Sequence, residues 1–374
     1  MRNTTRDFQG TRRALLGRLA GVAAAATFMP LASRAQAPAP GRAIPIADMH
    51  SHLGIVGRTR SPADLATEMK THGATLVSWS IVGDAPWLGN GPKGVIQQGE
   101  PTPAELSAFF EKTLNGMLAY AQQNQLAIVR TAADVDAAMG GKHSVLLASE
   151  SAEFISTDLA PLKKAFDLGL RQLQLVHYIR NPIGDYSTAS PVHNGLSPLG
   201  RELVKACEAH GILLDLAHCS TPAIDHAMEI ATKPMIWSHG WVDSDAGGYR
   251  DQYGYLMRRL SVDQAKKIAA RGGVVGLWGL GLRQPGQAYG WKVGLQDRAG
   301  YAREVAKLVN MIGADHVAFG TDIAGVGSEW AINDYSHVRE IVQLLEGQKL
   351  DAATIEKVAF GNFARVLKAT LPAA

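Results

Sequence analysis

Residues 211–240 read GILLDLAHCSTPAIDHAMEIATKPMIWSHG, and they contain the repeating pattern from which the fold can be predicted. It holds two short apolar runs, Ile212 to His218 and Pro234 to His239, with a helix-length amphipathic segment between them. Apolar runs that alternate with amphipathic helices are typical of βα units around a parallel sheet. Each run also ends on a histidine, a residue type that needs a polar partner when it is buried.

The same period continues along the chain from residue 44. We predict eight strands: Ile44 to His50, Thr75 to Ile81, Ser144 to Ser149, Arg171 to His177, Ile212 to His218, Pro234 to His239, Gly273 to Trp278 and His316 to Thr321. Eight strands predict one α/β domain, a single (β/α)8 barrel of the TIM type. A ninth extended run, Leu126 to Thr131, is placed outside the barrel because the other eight already close it.

The segments that follow the strands are long, and the segments that precede them are short. The long ones are Val82 to Pro103, Tyr178 to Ser197, Gly240 to Met257 and Gly279 to Leu295. In a barrel of this type the loops after the strands form the mouth of the active site. The sequence therefore predicts a recessed site covered by loops.

The N-terminal segment differs from the rest of the chain. Residues 1–37 contain the pair Arg12-Arg13, then an apolar run, then Ala35-Gln36-Ala37, which together predict a cleaved twin-arginine export signal. Arg18 and Pro30 interrupt the run, so it falls short of the ~20 residues that a membrane-spanning helix needs. We expect a linker at 38–43, the barrel at 44–374, and a periplasmic or secreted protein without a stable membrane anchor.

Charge and cysteine content exclude two further classes of protein. Loss of residues 1–37 removes six arginines and one aspartate, which changes the formal charge from +3 to −2, so nothing indicates a nucleic-acid partner. Cys207 and Cys219 have no spacing typical of a redox or zinc motif, and we predict two buried thiols without a disulfide. A homodimer remains open.

Histidines and carboxylates stand at the ends of the predicted strands. The first strand leads into Asp48-Met49-His50-Ser51-His52, where alternation directs His50 and His52 to the same side, towards the barrel axis. Four other strands end on Glu150, His218, His239 and Asp322. Such groups need partners when they are buried, and metal ions supply them. Nitrogen and oxygen ligands without thiolates suit zinc, while manganese, cobalt and iron also fit.

Several motifs resemble those of the membrane (renal) dipeptidase family. They are Glu150, the stretch from Gly195-Leu196-Ser197-Pro198 to Asp215-Leu216-Ala217-His218-Cys219-Ser220, Gly320-Thr321-Asp322, and Gly361 to Leu367. The resemblance runs from about residue 44 to 367, with the motifs in the family's order. It implies a (β/α)8 barrel of the amidohydrolase-like group that holds two zinc ions and cleaves dipeptides, often with a D-residue on the C-terminal side.

The resemblance also assigns metal ligands. It implies that His50 and His52 hold the first metal, that His218 and His239 hold the second, and that Glu150 bridges them. The family usually has aspartate at the position of His52. A more neutral ligand set would leave the first metal more electrophilic, and it opens this site to divalent metals other than zinc.

Three residues are implied to act on the substrate. Asp322 matches the family's acid/base residue, which exchanges a proton with the metal-activated water and the leaving amine. His177 matches a histidine that contacts the substrate and can stabilise the oxyanion. Arg258 matches the arginine that binds the substrate carboxylate, although Arg250 in the long preceding loop is an alternative.

The leading hypothesis is therefore a metal-dependent dipeptidase with two Zn²⁺ and a small dipeptide substrate. One alternative is a barrel amidohydrolase that acts on N-acyl amino acids or cyclic amides, because the same metal set serves any amide. Another is a non-catalytic periplasmic binding protein. Retention of Glu150 and Asp322 argues against this last alternative.

Overall fold

The computed structural model describes residues 43–55, 64–91, 94–243, 258–279, 297–325 and 331–373. The predicted export signal and Arg250 lie outside the described residues. Among the helices that are described, none combines the length and apolar character that crossing a bilayer requires.

Eight parallel strands close a barrel, which confirms the predicted fold. They are β1 (Ile46–Ser51), β2 (Ala74–Val82), β6 (Ser144–Glu150), β7 (Leu170–Gln174), β8 (Leu213–Asp215), β9 (Ile236–Trp237), β12 (Val274–Leu277) and β13 (Val317–Phe319). The hydrogen-bonded order is β2-β1-β13-β12-β9-β8-β7-β6, and pairing of β2 with β6 closes the circle. Each predicted strand is present, and most are shorter than predicted.

The shortening is largest where site residues follow. Strand β8 ends at Asp215, three residues before His218, and His218 has a positive φ of 66°. Strand β7 ends at Gln174, three residues before His177. These apolar runs continue beyond the strands because the chain stays buried after it leaves the sheet.

Five further strands lie outside the closed barrel. Strand β5 (Ala127–Ile128) pairs with Ser144 and Val145 at the start of β6 and is not one of the eight strands of the closed barrel, as expected for the ninth run. The other four were not predicted: an antiparallel hairpin of β3 (Leu88–Gly91) and β4 (Gly94–Gln97), and a parallel pair of β10 (Trp241–Asp243) and β11 (Arg259–Ser261). Both pairs belong to the loops after barrel strands, where the active-site mouth was expected.

Helices separate the barrel strands along the chain. They are α1 (Leu65–His72), α2 (Pro103–Gln123), α3 (Ala132–Met139), α4 (Ala160–Leu168), α5 (Pro198–His210), α6 (Thr221–Ile230), α7 (Val262–Ala270), α8 (Arg298–Ile312), α9 (Tyr335–Glu346), α10 (Ala352–Glu356) and α11 (Asn362–Thr370). N-cap residues mark where several of them begin. The hydroxyl oxygens of Ser197 and Ser220 accept from the backbone N–H three residues later, and a proline stands in the first turn of both helices.

The lower half of the barrel is filled by apolar side chains. One cluster joins residues from seven barrel strands, such as Met49, Leu146 and Ile236, with Phe360 and Phe363 of the C-terminal segment. Side chains from opposite strands can meet only inside the barrel. The C-terminal motif Gly361 to Leu367 therefore plugs the bottom, and the site lies at the other end.

Candidate active site

Glu150, the last residue of β6, lies at the centre of the upper barrel and is 3% exposed. Its Oε1 is 3.1 Å from Nε2 of His218 and 3.4 Å from Nε2 of His239. Its Oε2 faces the other way and lies 3.0 Å from Nε2 of His52. Burial would raise the pKa of Glu150, but the positive charges of nearby histidines, His177 first, hold it well below its usual value. Oε1 is also 3.5 Å from Nε2 of His50, so each carboxylate oxygen is close to imidazoles. Four of these imidazoles belong to two sets, each from one part of the chain.

The first set is His50 and His52 at the top of β1. Their Nε2 atoms are 3.0 Å apart, so both imidazoles reach the centre as predicted. The strand itself is not regular. Ala47 and Met49 belong to the cluster inside the barrel, so strict alternation would send His50 outward, but the pairing with β2 shifts register between Asp48 and Ser51. This irregularity accompanies the turn of both histidines towards the axis.

The second set is His218 and His239, which follow β8 and β9. Their Nε2 atoms are 3.3 Å apart. Burial and the positive charge of Arg258 hold the pKa of His218 well below its usual value, and burial lowers the pKa of His239 to about 3. Both rings are therefore neutral near pH 7, which is the form that binds metals.

Asp322 completes the cluster from the end of β13. Its Oδ1 lies 3.2 Å from Nε2 of His52, and the residue has a positive φ of 53°. The preceding Gly320 is required because a Cβ there would lie 1.6 Å from the carbonyl oxygen of Ser238. The motif Gly320-Thr321-Asp322 thus combines a close backbone approach at residue 320 with a left-handed backbone at residue 322. This geometry places the carboxylate beside the histidines.

His177 is a further imidazole beside Glu150, with its Nε2 3.4 Å from Oε2 of that residue. Its Nδ1 is 2.6 Å from Oδ1 of Asp84, a fully buried residue two positions after β2. Burial would lower the pKa of His177, but the charges of Asp84 and Glu150 raise it. Asp84 was not predicted from the sequence. A lone aspartate in a loop gives no sign of a partner 93 residues later.

Arg258 lies just before β11 and is 1% exposed. Its Nη1 donates to the hydroxyl of Tyr178 at 3.2 Å, and its guanidinium carbon lies 4.7 Å from the ring centroid of Trp278. Its Nε and Nη2 have no hydrogen-bond partner among the residues that the structure describes. Arg258 lines the same cavity as Glu150.

The cavity also has an apolar wall. Val82, Ala85, Leu88 and Val95 line it, and the last two come from the β3–β4 hairpin. The described lining thus combines a buried cation, the histidine and carboxylate cluster, and aliphatic side chains. Such a lining can orient a small amphiphilic molecule.

The residues present fit divalent cations. Three overlapping groups have ligand atoms within 4.8 Å of one another: His50, His52 and Asp322; His50, Glu150 and His239; and Glu150, His177 and His218. Two nitrogens bound to one tetrahedral zinc would lie about 3.3 Å apart, given bond lengths of ~2.0–2.1 Å. The two histidine pairs show 3.0 and 3.3 Å. Imidazoles that face one another so closely around a carboxylate are typical of a metal centre.

A (β/α)8 barrel with such a cluster at the carboxyl ends of its strands is typical of metal-dependent hydrolases. The match to a family profile identifies the family within this class. The chain belongs to the membrane dipeptidase family, peptidase family M19, whose profile matches residues 67–373.

Curated relatives share about a quarter of their residues with this chain. Dipeptidase tcpJ of Claviceps purpurea is 26% identical over 234 residues, which is 61% of this chain and 51% of that protein. Dipeptidase verJ of Clonostachys rogersoniana is 27% identical over 205 residues, or 54% of this chain and 49% of that protein. The chain therefore spans about half the length of these two relatives.

Solved structures share the fold. A dipeptidase AC, a metallopeptidase of family M19, superposes with a TM-score of 0.74 at 21% identity over 89% of this chain and all of that one. A metallopeptidase from Rhodobacter sphaeroides, bound to a phosphinate mimic of the dipeptide L-Ala-D-Ala, gives 0.72 at 22% identity over 88% of this chain and all of that one. At these identities the comparison establishes the common barrel.

Proposed function

We propose that this protein is a metal-dependent dipeptidase that binds two divalent cations, preferentially zinc. One observation carries the proposal: a buried guanidinium, Arg258, with two donor groups free of partners among the described residues, shares a cavity with a histidine and carboxylate cluster. A buried cation of this kind needs an anion, and the terminal carboxylate of a dipeptide supplies one next to the scissile bond. Family membership supports the same reaction.

Four histidines and Glu150 are proposed to hold the cations. His50 and His52 would bind one, His218 and His239 the other, with Glu150 between them. Its Oε1 lies close to imidazoles of both sets and its Oε2 is 3.0 Å from Nε2 of His52, so the carboxylate reaches both sets, which supports a bridging role. Bound cations of this type lower the pKa of a shared water and polarise the peptide carbonyl.

Protein side chains are proposed to supply the remaining steps. Asp322 takes a proton at its carboxylate and returns it to the leaving amine, because it lies beside the cluster and is 5% exposed. His177 lines the cavity, where its Nε2 would donate to the developing oxyanion from the imidazolium form, which carries a hydrogen on each ring nitrogen. Arg258 orients the substrate through its carboxylate.

N-acyl amino acids also carry a carboxylate and would satisfy Arg258 equally well. The test is therefore a panel of L-Ala-L-Ala, L-Ala-D-Ala and N-acetyl-L-alanine, assayed with metal-stripped protein and after reconstitution with Zn²⁺ or Mn²⁺. We expect metal-dependent hydrolysis of the dipeptides, and at least about tenfold slower hydrolysis of the N-acetyl compound. A preference for N-acetyl-L-alanine would identify an amidohydrolase instead. Metal binding without hydrolysis of any compound would indicate a binding protein.

We further propose that the protein is exported by the twin-arginine route to the periplasm or beyond. The pair Arg12-Arg13 ahead of an apolar run supports this route. Replacement of both arginines by lysine should leave the protein unprocessed in the cytoplasm, as cell fractionation and N-terminal mass analysis would show. Processing that is unaffected by the substitution would rule the route out.

A further inference from the structure

Asp84 directs both of its carboxylate oxygens at one segment of the chain. Oδ1 lies 2.6 Å from Nδ1 of His177, and Oδ2 accepts from the backbone N–H of Tyr178 at 3.0 Å. Asp84 itself is fully buried. A charged, buried carboxylate at such a short distance makes one of the stronger hydrogen bonds available to an imidazole.

His177 needs such an anchor. Strand β7 ends at Gln174, so the backbone at His177 lies beyond the strand and is not fixed by its ladder of hydrogen bonds. The bond to Asp84 occupies Nδ1 and leaves Nε2 facing Glu150 and the cavity. The partner of one ring nitrogen decides which way the other points, and in the imidazolium form both nitrogens carry a hydrogen.

We propose that Asp84 is a positioning residue that acts through His177: it holds Nδ1–H and thereby aims Nε2 at the substrate carbonyl. This role rests on the proposed function, because the carbonyl group belongs to the dipeptide substrate. Asp84 itself does not line the described part of the cavity, so it has no direct contact with a substrate there.

The carboxylate is specifically required, since both of its oxygens accept from N–H groups. Asparagine has only one acceptor oxygen. In Asp84→Asn, either the N–H of Tyr178 or Nδ1–H of His177 would face an amide donor. Because the ring can rotate or change tautomer more easily than the backbone can move, we expect His177 to lose its orientation.

A double-mutant cycle separates positioning from a merely structural role. His177→Asn is the partner variant, because its amide can still donate to Asp84 but offers nothing at the place of Nε2. We expect Asp84→Asn alone to lower kcat for a dipeptide about 10- to 100-fold, with KM changed less than about threefold. In the His177→Asn background the same substitution should cost less than about threefold, because the ring that it positions is gone.

Glu153 provides the matched control. It is a second buried carboxyl close to Asp84, and its Oε1 accepts from Asn181 at 3.4 Å rather than from His177. Glu153→Gln should leave kcat within about threefold of the parent. If Asp84→Asn instead lowers kcat by the same factor in both backgrounds, or strips metal from the protein, the proposed role is wrong.

A proton spectrum of the zinc-loaded protein tests the link without any assay of activity. The short bond should give a downfield Nδ1–H resonance, identified as that of His177 by its loss in His177→Asn. Asp84→Asn should abolish or shift it, and Glu153→Gln should leave it in place. A resonance unchanged by Asp84→Asn would overturn the inference. Because this readout needs no substrate, failure of the dipeptidase proposal would be recognised separately in the hydrolysis assay.

Discussion

His52 Nδ1 lies 2.7 Å from the carbonyl oxygen of Ser80. A carbonyl can only accept, so Nδ1 carries a hydrogen, and Nε2 is the nitrogen that faces the centre of the barrel. Burial would lower the pKa of His52, yet the negative charges of Glu150 and Asp322 raise it to about 10. The carboxylates that stabilise a second proton on this ring would stabilise a metal cation in its place.

Substitution of His52 tests its part in metal binding. We expect His52→Asp to stay folded and to keep its metal, with a changed preference between Zn²⁺ and Mn²⁺, because a harder oxygen ligand replaces a nitrogen. His52→Ala, which offers no ligand, should lose about one equivalent. Elemental analysis after dialysis, with melting curves alongside, measures both. An unchanged metal content in His52→Ala would remove His52 from the ligand set.

Both cysteines are buried thiols without a disulfide, as the sequence predicted. Cys207 lies in α5 and Cys219 follows β8, and burial raises the pKa of each thiol above its usual value. We predict almost no reaction with a thiol reagent in the native protein and two reactive thiols after unfolding without reductant. A count of zero after unfolding would mean that the two cysteines are paired.

The sequence reveals the barrel because buried parallel strands are uninterrupted apolar runs between helices. It also locates Glu150 and Asp322, since a carboxylate that ends such a run needs a partner. Two features could not be predicted. The β3–β4 hairpin has a Gly-rich strand, Leu88–Gly91, with no alternating pattern. Asp84 and His177 follow the two strands on either side of β6, so they meet only when both strands pair with β6, which no local spacing encodes.

Asp322→Asn should retain metal but lower kcat by about 10², the usual scale for loss of a positioned acid/base group. Asparagine suits the test because it tolerates the positive φ of 53° at this position. Asp263→Asn, on the exposed side of α7, is the control and should be silent. Steady-state kinetics with metal analysis decide the matter, and an Asp322→Asn enzyme with the parent's kcat would show that another group moves the proton.

Glu153 should make stability depend on pH. Burial, and then the charge of Asp84, raise the pKa of this carboxyl well above its usual value. The native state therefore keeps a proton that the unfolded chain releases above ~4.3, so this contribution to stability is present at low pH and is lost as the pH rises towards the native pKa. In Glu153→Gln nothing titrates, and the Tm should fall less between pH 5 and pH 8 than in the parent. Parallel Tm curves for the two proteins would show that Glu153 is ionised in the native state.

Arg258 gives the sharpest test of substrate class. Loss of a guanidinium–carboxylate contact in a buried site costs about 1.5–3 kcal/mol, or one to two decades in kcat/KM at ~1.4 kcal/mol per decade. Arg258→Met should therefore impair hydrolysis of a dipeptide by that factor and affect the same dipeptide as its C-terminal amide only weakly, because the amide carries no negative charge. Arg259→Met is the matched control, since its side chain is exposed at the next position. Arg250→Met, in the segment outside the described residues, should affect both substrates little. If Arg250→Met shows the carboxylate-selective loss instead, the long loop supplies the anchor, and the donors of Arg258 that lack partners among the described residues must serve another anion.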